Sequence, residues 1–487
     1  MSADKPDSFA PVRSAPSVTS GGGKPESVEH FDLVVVGSGS GNSLVTADFE
    51  GKRVAIVERG TFGGTCLNVG CIPTKMFVYA ADVATTARDS ARYGIDAQVL
   101  GVRWPDIRDR VFGRIDPISQ AGLSYRSAGP DTTAVLGSAR FVGDRRLAVD
   151  LLNGGTQLLQ GEQVVLAAGS APRIPPSISA SGVPYHTSDT VMRVPELPQR
   201  VVIVGGGYIA CEFAHLMSAL GSSVTLVVRG DALLRHLDGD ISRRFTAVGE
   251  RRWDVRLRAE VCTLGGSGTE PADIQIGLDD GSSLVADLLL VATGRSPNTD
   301  DLELPTGGVA VHPDGRVAVD RYGRTTAPGV WALGDVCSPF QLKHVANHES
   351  RVVAHNLTHP GDLRKFRYEA VPAAVFSHPQ VATVGLTEEE LQAAGRAYLS
   401  ATQRYADTAY GWAMEDTQGV CKVLADPTSG LLLGAHIVGP QASVIIQPAV
   451  QAMATGQRAL DVARDQYWIH PALTEVLENA LLGLHRD

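Results

Sequence analysis

Short β-branched runs that end at glycine recur along the chain: FDLVVVGSGSGN at 31–42, RVAIVERG at 53–60, VVLAAGS at 164–170, RVVIVGGGYIA at 200–210, SVTLVVRG at 223–230, DLLLVATGR at 287–295 and GVWALGDV at 329–336. Near-continuous apolar runs that break into glycine turns predict strands covered on both faces, as in parallel sheets flanked by helices. Two of these runs open a strand, glycine turn, helix and strand unit, at 31–58 and at 201–229. The chain is therefore expected to carry two dinucleotide-binding modules, and two dinucleotides imply electron transfer between them. After about residue 362 the texture changes to the alternating strands AAVFS, VATVGL, GVCKVLAD and LLLGAHIVG, then to helical stretches at 444–457 and 471–484. That pattern predicts a separate α+β domain.

The expected fold class is α/β, with two Rossmann-like modules followed by a C-terminal α+β domain. Its expected divisions are a tail at 1–28, a first module at 29–180, a second at 181–298 inserted into the first, a return to the first at 299–361, and the last domain at 362–487. A length of 487 residues suits about three domains. The tail is rich in Ser, Pro, Gly and charge and lacks periodicity, so it is expected to be disordered. No apolar run reaches the roughly eighteen residues of a membrane span, and the first thirty positions lack a basic-then-apolar leader. A soluble, cytoplasmic protein is expected. The net charge of −10 is spread along the chain, which gives no footprint for nucleic acid or an anionic membrane and points to small-molecule partners. Of six cysteines, Cys211, Cys262, Cys337 and Cys421 stand alone; only Cys66 and Cys71 pair by spacing. No metal site is expected.

The first turn reads Gly37, Ser38, Gly39, Ser40, Gly41, Asn42, and Glu58 closes the next strand 21 residues after Gly37. Its glycines allow a tight turn and close approach to a pyrophosphate resting on a helix N-terminus, while Glu58 can accept from a ribose hydroxyl. Asn42 stands where the fingerprint has its third glycine, so the expected helix has to pack with a side chain there.

The second turn, Gly205, Gly206, Gly207, Tyr208, Ile209, Ala210, matches G-x-G-x-x-A. The strand after its helix ends in Arg229 rather than an acid, with Arg235 six residues on. Two guanidiniums clamp a 2′-phosphate where an acid would repel it, so NADPH is favoured over NADH. The alternative is a pair of solvated loop arginines.

Cys66 and Cys71 lie in GGTCLNVGCIPTK. A regular helix holds residues i and i+5 about 8.6 Å apart at Cα, beyond the roughly 4.4–6.8 Å that a disulfide accepts. Cys66 is therefore expected in the preceding loop or a distorted turn, with a helix starting near Cys71 because Pro73 is tolerated only in a first turn. Helix start and Lys75 both favour a thiolate at Cys71, leaving Cys66, in the more accessible loop, as the expected attacker. The alternative is two buried thiols without a redox role. Near the C-terminus, YWIHPALTEV sets His470 before Pro471 at a predicted helix start. As an N-cap, His470 could fold back on Glu475 and serve as a general acid–base; otherwise it is only a cap.

Taken together, GGTCLNVGCIPTK, GGGYIACEF, VATGRSPN, ALGDV and HPALTE resemble the pyridine nucleotide–disulfide oxidoreductases over about residues 30–487. The resemblance implies FAD on the first module, with Gly64, Thr65 and Gly169 beside it and Asp335 on the ribityl chain. It implies NADPH on the opposite flavin face, with Tyr208 covering the nicotinamide pocket and Gly294 nearby. Lys75 would pair with Glu212 at the flavin edge. The last domain would form a homodimer in which His470 and Glu475 serve the other subunit's cysteines. The implied reaction is NADPH-driven reduction of a small-molecule disulfide. Dihydrolipoamide oxidation with NAD, or flavin and nucleotide binding without disulfide turnover, are the alternatives. The substrate pocket is not legible; Tyr125, Trp412 and the 404–415 segment are candidates.

Overall fold

A computed structural model describes residues 27–266 and 273–484, so nearly all of the expected tail lies outside the described residues. Strand β1 (Val28–Val36) runs parallel to β2 (Val54–Glu58) on one side and to a later strand on the other, which buries Val34 and Val35 completely. The chain then forms helix α1 (Gly64–Asn68), helix α2 (Cys71–Asp89), helix α3 (Trp104–Ala128), and strands β3 (Thr132–Gly143), β4 (Arg146–Leu151) and β5 (Thr156–Leu166). β3 extends the parallel sheet beyond β2, β5 lies beside β1, and the Val330–Ala332 strand adds at the far side of β5. The remaining lengths of β3 and β5 pair antiparallel with β4.

The crossover from β1 to β2 departs from the sequence reading, which expects an α-helix there. It contains two 3₁₀ turns, Gly41–Leu44 and Ala47–Phe49, and no α-helix. Asn42, Ser43, Thr46 and Asp48 favour local turns over helix. Asn42 consequently meets no helix–strand contact. Its Oδ1 accepts from Arg126 Nε at 2.7 Å, and the same guanidinium donates to the Asn42 and Val45 carbonyls.

Chain between β5 and Val330–Ala332 builds a second parallel sheet, ordered Leu288–Val291, Arg200–Val204, Ser223–Val228, Asp254–Leu257. Here the crossover is a full helix, Tyr208–Leu220, with Gly207 as N-cap. A three-stranded antiparallel sheet, Val261–Gly265, Ile274–Leu278 and Ser283–Ala286, covers it.

The last unit is a five-stranded antiparallel sheet ordered Pro372–Val375, Gln380–Gly385, Leu432–Gly439, Val420–Ala425, Leu399–Arg404. The expected helix at 444–457 is two pieces, Ala442–Ile445 and Gln447–Thr455, because Pro448 has no N–H to continue a ladder and fits only a first turn. The helix expected from 471 begins at Glu475, with Thr474 as its N-cap. His470 is thus outside the cap position that the sequence suggests. Glu475 Oε2 accepts from Ala472 N at 3.1 Å and holds residues 471–474 as a turn ahead of the helix. Between the second and last units, buried Lys422 reaches Asp238 at 3.0 Å, Asp240 at 2.7 Å and Glu388 at 2.5 Å. No described helix is long and apolar enough to cross a membrane.

Candidate active site

Cys66 lies in α1 and Cys71 is the first residue of α2. The helical path breaks at Val69 and Gly70, and Thr74 recaptures the Gly70 carbonyl through its backbone N–H at 3.1 Å and its hydroxyl at 2.7 Å. Pro73 falls in the first turn of α2, where its missing N–H breaks no helical bond. The break lets the Cys66 thiol donate to the Cys71 sulfur, a contact that continuous helix would forbid. That donated bond, with Lys75 adding to it, lowers the Cys71 thiol from its ordinary value to about 7, against the opposing effect of burial. The same bond, reinforced by burial, pushes the Cys66 thiol upward, so Cys71 carries the negative charge and Cys66 the proton. The sequence reading expects Cys66 to be the more accessible thiol, in a loop. Within one chain Cys66 is half-buried in a helical turn and Cys71 is the exposed one.

Because the Cys66 bond is the larger influence, Cys66→Ala is expected to raise the Cys71 thiol from about 7 toward the free-cysteine value of about 8.5. The pH dependence of Cys71 alkylation in the reduced protein measures this. At pH 7 the variant is expected to react more slowly, because less of Cys71 is thiolate.

Lys75 Nζ lies 2.6 Å from Glu212 Oε2 and 4.6 Å from the centre of the Phe376 ring. Buried Glu212 also accepts from Phe376 N at 2.9 Å, so one carboxylate links α2, the Tyr208–Leu220 helix and the last unit. A cavity of about 910 Å³ runs from Gly37, Gly39 and Glu58 past Gly64, Thr65, Cys66, Cys71 and Lys75 to Gly169, Tyr208, Glu212 and Asp335. Asp335 Oδ2 accepts from Ser170 Oγ at 2.7 Å. Burial of its hydroxyl pushes Tyr208 up to about 12.

The cavity wall suits a dinucleotide at the first turn. A Cβ on Gly37, whose φ is +108°, would stand 2.3 Å from the Ala167 carbonyl oxygen, and one on Gly64 would stand 2.5 Å from Gly39 Cα. Only bare backbone lets these strands of chain approach so closely. Gly41 packs on Val35 behind the turn. Glu58 folds back on it: Oε2 accepts from Ser38 N at 2.9 Å and Ser38 Oγ at 2.7 Å, and Oε1 from Gly60 N at 2.8 Å. A carboxylate has about four acceptor sites, so capacity for a ribose hydroxyl remains. Asn68 lines the same cavity; its Nδ2 donates to the Phe62 and Gly64 carbonyls, each at 3.0 Å, and its buried Oδ1 lacks a partner among the described residues.

Gly205, Gly207 and Ala210 form the second turn outside that cavity wall. Gly205 has φ +138° with the Ala292 carbonyl behind it, Ala210 is buried, and Gly207 has open space before it. Arg229 is exposed, with Glu260 3.9 Å away as its ion partner, and Arg235 packs its stem on Gly230 beside it. Gly294 has φ +108° and lies against the Arg173 guanidinium. His470 Nδ1 is 2.7 Å from Glu475 Oε1, which holds the Glu475 carboxyl below its usual value. Neither lines the cavity of its own chain, and the His470 side chain is 72% exposed. Tyr125 and Trp412 are exposed and off the cavity wall, the latter donating to the Ala406 carbonyl at 2.7 Å.

Two cavity residues escape the sequence reading. Arg295 donates to Ser170 Oγ at 2.8 Å and Ser170 O at 2.6 Å and lies 3.5 Å from Asp189. Its signal is the arginine directly after the glycine of VATGR. Lys343 opens the Lys343–Thr358 helix, and nothing in its local sequence distinguishes it.

The fold and this cavity are those of a two-dinucleotide flavoprotein reductase. Residues 31–356 match the pyridine nucleotide-disulphide oxidoreductase family, and residues 371–481 match its dimerisation domain. The chain belongs to that family, works as a homodimer, and uses FAD and NADPH. It is 55% identical to mycothione reductase of Mycobacterium tuberculosis (strain ATCC 25618 / H37Rv), over 94% of this chain and 100% of that one. It is 34% identical to mercuric reductase of Streptomyces lividans, over 91% and 94% respectively. Among solved structures, the HOCl-induced flavoprotein disulfide reductase RclA from Escherichia coli superposes with a TM-score of 0.79 at 28% identity, covering 93% of this chain and 99% of that one.

Proposed function

We propose that this protein is a cytoplasmic, FAD-dependent and NADPH-driven disulfide reductase whose substrate is mycothione, the disulfide of mycothiol. The observation that carries the reading is the Cys66 and Cys71 pair at the break between α1 and α2, beside the Lys75–Glu212 ion pair on the wall of one cavity. Identity of 55% along the whole length of a mycothione reductase supports the substrate. Dihydrolipoamide oxidation with NAD has weaker support, since a relative of that name matches at 32% identity and the nucleotide strand here ends at Arg229 rather than an acid.

In this reading residues 29–180 and 299–361 hold FAD, 181–298 hold NADPH, and 362–487 form the dimer. Bound FAD, reduced by NADPH, supplies the electron pair that opens the Cys66–Cys71 disulfide. Cys66 loses its proton to His470 of the partner subunit and attacks the substrate disulfide; one thiol leaves and takes the proton back. The Cys71 thiolate then attacks Cys66 of the mixed disulfide, which frees the second thiol and restores the Cys66–Cys71 bond. Lys75 holds the charge of Cys71, and Glu212 holds Lys75. NADPH oxidation measured against mycothiol, glutathione, coenzyme A and lipoamide disulfides tests the substrate. Mycothione is expected to turn over fastest, and preference for another disulfide would overturn that assignment.

Arg229 and Arg235 make a second test. A charge-assisted hydrogen bond contributes about 1.5–3 kcal/mol, or roughly 10- to 150-fold in affinity. Arg229→Ala is expected to weaken NADPH by about that factor and leave NADH nearly unchanged, measured as KM for each coenzyme. Equal losses would mean that Arg229 does not meet the 2′-phosphate.

A further inference from the structure

A glycine turn that feeds an α-helix brings the helix N-terminus, with about half a positive charge, to a bound phosphate. The turn at Gly37–Asn42 feeds only 3₁₀ turns of four and three residues, so it has no such dipole behind it. A full positive charge stands there instead. Lys343 Nζ lies 2.8 Å from the Ser40 hydroxyl, within the turn, and Ser350 of the same helix donates to the Ser40 carbonyl at 3.1 Å. Lys343 begins a sixteen-residue helix that has no acid in its first turn. Cations are disfavoured at that end, so the position costs stability unless an anion faces it. Among the described residues Lys343 has no carboxylate partner, and both Lys343 and Ser40 line the cavity that holds the cysteine pair.

We propose that Lys343 binds the diphosphate of FAD and supplies the charge that the missing crossover helix would otherwise provide. The inference rests on FAD as the cofactor of this cavity and assigns one residue to its phosphates. Lys343 approaches from the chain segment after the inserted nucleotide module, so that segment clamps the turn from outside the β1–β2 unit.

The test compares holoenzyme carrying Lys343→Met or Lys343→Arg with wild type. The rate of FAD release after dilution, followed by the recovery of free-flavin fluorescence, is expected to rise about 10- to 150-fold in Lys343→Met and much less in Lys343→Arg. Salt is expected to speed release from wild type more steeply than from Lys343→Met, because the exposed part of an ion pair is screened. The ³¹P resonances of bound FAD are expected to move in Lys343→Met. Unchanged release would overturn the proposal. So would equally fast release from both variants with unmoved ³¹P signals, since Lys343 would then only prop the Ser40 turn. If Lys343→Met does not fold, a flat salt dependence of wild-type release overturns the proposal and a steep one, with Lys343→Arg retaining FAD, supports it. Wild-type protein that purifies without FAD and does not take it up would instead overturn the cofactor reading itself.

Discussion

Reduced Cys71→Ser protein, mixed with its disulfide substrate, is expected to stop as a mixed disulfide on Cys66, with turnover lowered on the order of 10³-fold or more. The Cys66 thiolate can still attack and release one thiol, but no second sulfur remains to attack Cys66 and free the other half. Intact-protein mass spectrometry detects the adduct, and digestion locates it. Cys66→Ser is expected to lose turnover to the same degree and to form no adduct, even though its remaining thiol is the more acidic of the two. The difference follows from how the pair shares one proton: Cys71 holds its charge within the field of Lys75, while Cys66 needs a base before it can attack. An adduct on Cys71 in the Cys66→Ser protein, with none on Cys66 in the other variant, would exchange the two roles.

His470→Ala is expected to lower disulfide turnover about 10²- to 10⁴-fold, the usual contribution of a positioned acid–base, with NADPH binding unchanged. His470 is exposed at the surface of its own chain and, with Glu475, absent from its own cavity wall, so its proposed work is on the partner subunit. Mixing makes this measurable. Heterodimers of Cys66→Ser and His470→Ala subunits contain one complete set of groups and are expected to recover up to half of the wild-type activity per dimer. No recovery, despite exchange proven by differently tagged subunits, would put His470 outside the chemistry of the cysteines. Glu475→Gln is expected to cost less and to shift the pH profile, because Glu475 orients the ring without meeting substrate.

The parts legible from sequence are those whose cause is local. Buried parallel strands need apolar residues on both faces, and a helix holding Pro73 in its first turn has to start near Cys71; β1 and α2 come from those two rules. The 3₁₀ crossover after Gly41 is hidden because glycine spacing describes the turn and not the segment beyond it, where Asn42, Ser43, Thr46 and Asp48 favour local turns. The late start of the Glu475–Leu482 helix is hidden because Pro471 satisfies the rule for a first turn, while the choice of Thr474 depends on Glu475 holding Ala472. Accessibility of the two thiols, the contacts of Arg295 and the position of Lys343 depend on segments far apart in sequence, joined through β5, Val330–Ala332 and the Lys343–Thr358 helix. Periodicity carries no record of such meetings.

The three carboxylates around Lys422 bear on how a nucleotide can enter. Asp238 and Lys422 are both almost fully buried, and removing one partner of a buried ion pair typically costs about 3–5 kcal/mol. A swing of the second unit away from the last would have to open that cluster, and the Lys75–Glu212–Phe376 link with it. The second unit is thus riveted at two points rather than hinged. With NADPH assigned to this unit as proposed, its admission falls to motion of single side chains on a fixed frame, and the speed of entry is set by rotamer changes instead of domain travel.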